Sequence, residues 1–134
     1  MRHSRWFALL LLPLLVLLMG ARQAPLLDPD PVAIPAGLSV EAVQKEIKRA
    51  LVTRNWAVTA EQPGQIEATL NVRAHVARIT VSHADGKVRV AYVSSENLNF
   101  EEKNGQRFIH KNYASWVNNI VTDISRNLQL EALN

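Results

Sequence analysis

The chain has 134 residues, 48% of them hydrophobic, and no cysteine. From Arg22 onwards thirteen Lys and Arg face twelve Asp and Glu, and so neutral a surface gains little from counterion release, which excludes nucleic acid as an expected partner. The 113 residues after residue 21 are enough for one hydrophobic core and too few for two, so we expect a single domain.

An apolar run at residues 6–21 follows Arg2 and Arg5 and is interrupted by Pro13. This layout is typical of an export signal, and the run is shorter than the roughly 20 residues that a membrane-spanning helix needs. We therefore expect residues 1–21 to be a cleaved signal peptide and the protein to be periplasmic. In the alternative, the run stays uncleaved and anchors the protein in the inner membrane, facing the periplasm. Membrane contact is then expected only through this N-terminus.

Residues 22–38 contain four prolines among short apolar residues. This spacing predicts an extended linker that lies outside the domain, which would occupy residues 39–134. Ser39 is well placed as an N-cap, and apolar residues recur on one helical face from about Val40 to Arg54. The sequence therefore predicts the first helix there.

Alternating apolar and polar residues predict four strands after this helix. The first runs from Trp56 to a turn at Pro63-Gly64, and the second covers Ile66–Val72. The inward-facing positions then change from even to odd numbers near 74–76, which indicates either a tight turn or a bulge. Asp85-Gly86 predicts the turn before the last strand. The segment 95–105 is polar, and we expect it to be irregular.

A second amphipathic helix is predicted from about His110 to Leu130, because its apolar residues follow three-and-four spacing. Both helices and one face of the sheet carry apolar side chains that must be buried. The expected fold class is therefore α+β, a two-layer sandwich of order α-β-β-β-β-α. In it, an antiparallel sheet of three to four strands carries the two helices on one face.

Several short motifs follow one another between about residues 40 and 130. They are Trp56-Ala57-Val58, the run Pro-Gly-Gln-Ile-Glu-Ala at 63–68, the run Arg-Ala-His-Val-Ala at 73–77, Tyr92 with Ser95, Asn97 and Leu98, and Ile109-His110 with Tyr113 and Trp116. In this order and spacing they resemble a family of small, mostly uncharacterised proteobacterial periplasmic proteins and lipoproteins. The resemblance implies an envelope location and an α/β sandwich fold, but no known reaction. Ala21 stands where the lipoproteins carry their acceptor cysteine, so lipid cannot be attached there.

Polar and aromatic residues are expected to gather where strand ends meet the start of the last helix. His110, near that helix N-terminus, should favour its neutral form and leave a ring nitrogen to accept a hydrogen bond from the loop at 95–98. The group either fastens this loop to the helix or lines a small-ligand pocket with Tyr113 and Trp116 as walls. The expected ligand-binding residues are Arg73, His75, Ser95, Asn97, His110, Tyr113 and Trp116.

The sheet face turned away from the helices is predicted to be locally basic, with Glu67 as its opposing carboxylate. Such a face would receive anionic partners such as phospholipid headgroups or cell-wall polymers. The alternative is an ordinary solvated face. The predicted basic sheet face consists of Arg73, Arg78, Lys87 and Arg89.

No catalytic residue, metal ligand or cofactor is predicted, because no known catalytic motif occurs in the sequence. Ser82, His83 and Asp85 share one hairpin and cannot adopt the geometry of a catalytic triad. His75, His83 and His110 have no carboxylate at a ligand-like spacing beside them. The leading interpretation is a non-catalytic cell-envelope domain that binds an envelope protein, an anionic lipid or a cell-wall component. The alternative is a small-ligand carrier or enzyme with a pocket near His75 and His110.

Overall fold

The computed structural model describes residues 22–134, so the predicted signal peptide at 1–21 lies outside the described residues. No helix in the described part of the chain combines the length and the hydropathy needed to cross a bilayer. The secondary-structure elements are β1 Gln23–Pro25, β2 Val32–Ala33, α1 Val40–Thr53, β3 Ala57–Gln62, β4 Gln65–Val72, β5 His75–Ala84, β6 Lys87–Glu96, β7 Glu101–Lys103, β8 Gln106–His110 and α2 Lys111–Glu131.

The strands form two antiparallel sheets. One has five strands in the order β2-β6-β5-β4-β3, and the other has three strands in the order β1-β8-β7. Two helices with antiparallel sheets confirm the predicted α+β class. The strand count is larger than the predicted three to four, because the four predicted strands gain β2 at one edge and the second sheet was not predicted.

Both helices form where the apolar periodicity predicts them. In α1 the Ser39 hydroxyl accepts a hydrogen bond from the Ala42 N–H at 3.0 Å, which satisfies one of the donors that a helix start leaves unpaired. The helix ends at Arg54, whose N–H donates to the Leu51 carbonyl at 3.1 Å. The predicted helix boundaries are therefore right to within a residue at each end.

The change of parity near residues 74–76 is a tight turn. Val72 pairs with His75, so Arg73 and Ala74 form a two-residue connection, and Arg73 lies in the left-handed region with a φ of 57°. The register shifts elsewhere, on β3 between Val58 and Ala60 and on β6, where Val93 is the extra residue between two successive pairs with β5. The inward-facing residues therefore change from even to odd numbers because a two-residue hairpin separates β4 from β5. The pairing between these two strands stays regular.

The prediction that residues 22–38 form a linker outside the domain is wrong. The segment is extended, but β1 pairs with β8 and β2 pairs with β6, while Leu26 is 4% exposed and belongs to the core. Proline favours an extended chain and is tolerated at sheet edges, since an edge position does not require its missing N–H. The proline spacing predicts the conformation of the segment, but it carries no information about whether that segment has a partner.

The segment predicted to be irregular at residues 95–105 contains β7 and leads into β8. Asn104 and Gly105, with φ of 53° and 79°, connect Lys103 to Gln106 in a two-residue turn. Positive φ at both central positions is the requirement that Asn-Gly satisfies in tight hairpins. The strands escaped prediction because β7 is three charged residues long and has no apolar alternation.

A single hydrophobic core joins the helices, the five-stranded sheet and Leu26. Its largest completely buried side chains come from α1, from the inward positions of β4 to β6, from the 97–99 loop, from β8 and from α2. They are Ile47, Leu51, Ile66, Ile79, Val81, Val88, Leu98, Ile109, Ile120, Ile124 and Leu128. The small sheet is thus attached to the main core through Leu98 and Ile109.

Candidate functional site

His75 and Asn97 join the β4–β5 turn to the loop after β6. The His75 Nδ1 lies 2.6 Å from the Asn97 carbonyl oxygen, and because a carbonyl can only accept, this ring nitrogen carries the proton. The Asn97 side-chain amide donates back to the Ala74 carbonyl at 2.7 Å. These two reciprocal bonds fix the turn and the loop against each other.

His110 caps the second helix. Its Nδ1 accepts from the Asn112 N–H at 3.1 Å, so in the neutral ring the proton is on Nε2. The loop is bound by the His110 backbone, whose N–H donates to the Leu98 carbonyl at 2.8 Å. The predicted ring acceptor therefore exists, but its donor is the helix itself. The centroids of the His75 and His110 rings are 6.4 Å apart.

Ser95 and Tyr113 belong to a separate aromatic group centred on Tyr92. The Tyr92 hydroxyl is 2.7 Å from the Ser95 Oγ, its ring stacks on Phe100 with centroids 5.1 Å apart, and its edge meets Tyr113 at 5.6 Å. The Arg107 guanidinium lies 5.9 Å from the Tyr92 ring centroid. The structure therefore divides the predicted ligand-binding residues between a histidine group and an aromatic group.

The predicted pocket walls are mostly core residues. Tyr113 is 4% exposed, and burial raises the pKa of its hydroxyl far above the ordinary value. Trp116 is half-buried and packs against the core, while Arg73 is exposed in its turn. The side chains of His75, Asn97 and His110 already make hydrogen bonds to backbone groups. These contacts therefore favour a role in fastening the loop over a role in a ligand pocket.

Two surface grooves lie elsewhere. One, of about 420 Å³, runs between the start of α1 and the end of β3. The other, of about 570 Å³, runs between the β2 segment and α2. None of the seven predicted ligand-binding residues lines either groove.

A buried histidine, His83, lies beside the first groove, and the sequence analysis considered it only as a triad member or metal ligand. His83 Nε2 is hydrogen-bonded to the Gln44 side-chain oxygen, and the Gln44 amide donates to the Gln62 carbonyl at 3.2 Å. Burial lowers the pKa of His83, so the folded protein favours the neutral ring. Its odd-numbered position on β5 was the available signal, because Ala77, Ile79 and Val81 point inward on the same strand.

The outer face of the five-stranded sheet carries polar cross-strand rows. These rows join Glu67, Thr80 and Ala91, and then Thr69, Arg78 and Ser94. Thr80, Ala91 and Ser94 are partly exposed and Glu67 is exposed. The face therefore mixes short polar side chains with longer charged ones.

The cations of the predicted basic sheet face do not form one patch. Arg78 is bound by Glu96 at 2.8 Å, a carboxylate that the sequence reasoning did not place on this face. Arg89 lies opposite Ser82, four residues or about 13 Å along β5 from Arg78. Lys87 follows the Asp85-Gly86 turn at that same end, whereas Arg73 is in the turn at the other end. The face is therefore close to balanced in charge.

Within residues 22–134, no group of three or more His, Asp or Glu side chains is arranged to hold a metal ion. The geometry thus defines a small α+β domain with a fastened loop cluster and a polar outer sheet face. Comparison with known proteins finds no matching family model, no matching curated protein and no matching solved structure.

Proposed function

We propose that the protein is a non-catalytic domain of the bacterial cell envelope that binds a partner protein on the outer face of its five-stranded sheet. The export-type N-terminus supports an envelope location, with the domain either released into the periplasm or held at the inner membrane by residues 6–21. The resemblance to small periplasmic proteins and lipoproteins supports the same location. We also propose that the helices and the five-stranded sheet form a two-layer sandwich, since both helices share one core with the inward positions of β4 to β6.

The observation that carries the proposal is the polar, charge-balanced outer face. Its central rows place Thr69, Thr80, Ala91 and Ser94 beside the longer Glu67 and Arg78, and the bulge residue Val93 is 55% exposed. Interfaces between separately folded proteins are about as apolar as the rest of a protein surface and have a polar rim, so a mixed polar face with an exposed valine suits a protein partner. An anionic lipid or cell-wall polymer would instead require clustered cations, and Arg78 is already bound to Glu96.

The alternative of a small-ligand carrier or enzyme near His75 and His110 gains no support from these contacts. His75 donates a hydrogen bond to the Asn97 carbonyl and His110 caps α2. Both rings therefore have structural roles, and each ring has one further nitrogen outside these two contacts. We therefore take the fastening role as the function of this group within the fold.

Site-specific photo-crosslinking in the natural host tests the proposed surface. A photoreactive residue at Thr80, in the centre of the outer face, is expected to give a discrete protein adduct. The matched control is the same residue at Asn118, an exposed position on α2, which should give none. The adduct should disappear when Ala91→Arg places a long cation beside Thr80, while the melting temperature stays within a few degrees. Equal adducts at both positions, or adducts only with lipid or glycan, would contradict the proposal.

A further inference from the structure

The apolar run at residues 6–21 joins the folded domain without an intervening linker. Arg22 is the first residue after the run, and its carbonyl accepts from the Lys111 N–H at 3.2 Å. The next residue, Gln23, pairs with His110 in the small sheet. The first residue after the run is therefore held at a fixed point of the domain, the start of α2.

The same end of the molecule carries exposed cations. Arg22 and Lys111 adjoin the exit point, and Arg73 is two residues before His75, whose ring lies 6.4 Å from that of His110. Arg22, Arg73 and Lys111 are all exposed. Among residues 22–134 none of these three cations is in an ion pair. We call Arg22, Arg73 and Lys111 the basic end.

Carboxylates on the neighbouring strands do not neutralise the basic end, because they are paired with other cations or lie farther along the strands. Glu96 binds Arg78 at 2.8 Å, and Glu101 binds Lys103 at 3.1 Å, which holds the pKa of Glu101 below its ordinary value. Glu102 lies opposite Arg107, three residues or about 10 Å along β8 from His110. The positive charge of the basic end is therefore available to an external anion.

We infer that the basic end docks on the anionic phospholipid surface of a bilayer that holds the apolar run. Sixteen apolar residues are fewer than the roughly 20 that a bilayer-spanning helix needs. A bilayer that held this run would therefore lie close to its flanking residue, Arg22. Each Lys or Arg near an anionic surface strengthens attraction about fivefold, so three such residues shift the ratio of docked to undocked domain about a hundredfold.

Docking fixes the orientation of the whole domain. The β5–β6 turn and the start of α1 lie at the end of the sheet opposite to Arg73, since β4 and β5 meet at Arg73 and β5 and β6 meet at Asp85. That far end would point away from the membrane. The inference concerns the chain that keeps residues 1–21, the uncleaved alternative, and does not depend on the outer-face proposal.

A lipid-quenching experiment on the full-length protein tests the orientation. The chain has no cysteine, so Asn112→Cys and Ala84→Cys each give a single labelling site, at the basic end and at the far end respectively. Both variants are reconstituted into phosphatidylcholine vesicles with or without phosphatidylglycerol, in which headgroup nitroxides quench a fluorophore on the cysteine. In anionic vesicles the label at position 112 should be quenched much more strongly than the label at position 84.

A charge-matched control separates docking from simple tethering. Arg22→Gln, Arg73→Gln and Lys111→Gln together should reduce the difference between the two labels to its value in neutral vesicles, which measures tethering alone. Lys45→Gln, Lys87→Gln and Arg89→Gln remove the same charge from the far end and should leave the larger difference in anionic vesicles intact. Equal quenching of the two labels in anionic vesicles, or a difference of the same size in anionic vesicles, in neutral vesicles and for the first triple variant, would overturn the inference. Either result leaves the crosslinking at Thr80 unaffected, so the two proposals fail separately.

Discussion

At the scale of single residues, His110 makes two structural hydrogen bonds, one through its ring and one through its backbone. Its ring caps α2, and its backbone N–H holds the loop at Leu98. The backbone bond survives any substitution except proline, whereas the cap depends on the side chain. The cap can therefore be tested without breaking the attachment of the loop.

His110→Ala is expected to lower the free energy of unfolding by about 1 kcal/mol, because the substitution removes an N-cap acceptor from α2. His110→Asn restores an acceptor at the same position and should recover most of this loss. Urea-induced unfolding of the three proteins measures both effects. If His110→Asn is as destabilising as His110→Ala, the ring contributes through its packing near His75 and the cap is unimportant.

At the scale of secondary-structure elements, the N-terminal segment is part of the domain. It adds β1 to the small sheet and β2 to the edge of the large one, and Leu26 between them enters the core. Asp28 adds a further attachment, since its carboxylate accepts from the Tyr92 N–H at 3.2 Å. The segment therefore closes one side of the fold, and its removal would expose apolar surface.

Leu26→Ala is expected to cost about 2–5 kcal/mol of unfolding free energy, the range for a buried leucine truncated in a core. The adjacent residue provides the control, because Leu27 is 79% exposed while Leu26 is 4% exposed. Leu27→Ala should change stability by no more than about 0.5 kcal/mol. Equally small effects of both substitutions in urea unfolding would mean that the segment is a spacer after all.

At the scale of the whole molecule, one buried carboxylate connects the two helices. Asp123 on α2 is 3% exposed and accepts from Arg54, at the end of α1, at 2.7 Å and from Arg126 at 2.8 Å. Its hydrogen bond with Arg54 is the main cause that lowers the pKa of Asp123, against the opposing effect of burial. The ionised form is thus bound more favourably in the folded state than in the unfolded chain.

This difference predicts the direction of acid destabilisation. Because the folded-state pKa of Asp123 is depressed, its stabilising contribution is present above the ordinary pKa of about 4 and is lost as the pH falls through the lower folded value. Asp123→Asn should cost about 1–3 kcal/mol near neutral pH and reduce the loss of stability on acidification below about pH 4. Urea unfolding of both proteins across this range measures the difference. Parallel pH profiles for the two proteins would contradict the assignment.

The candidate site was predictable in its parts but not in its arrangement. The positions of His75, Asn97 and His110 near strand ends and a helix start follow from the local pattern, and the structure does bring them together. Their roles depend on which donor meets which acceptor, and that is fixed by the turn at Arg73 and by the loop at Asn97. Both residues adopt positive φ, with values of 57° and 58°, which hydrophobic periodicity does not indicate.

The sequence by itself determined the α+β class, both helices, the four central strands and the turn at Asp85-Gly86. These features follow from apolar periodicity, capping and turn residues, all of which act over a few neighbouring positions. Only the tertiary structure decided that residues 22–38 pair with β8 and β6, that Glu96 binds Arg78, and that Arg22 is held beside Lys111. Strand pairing and ion pairs between distant residues depend on how the chain folds back on itself, and short, proline-rich or charged segments carry no periodic signal of that return.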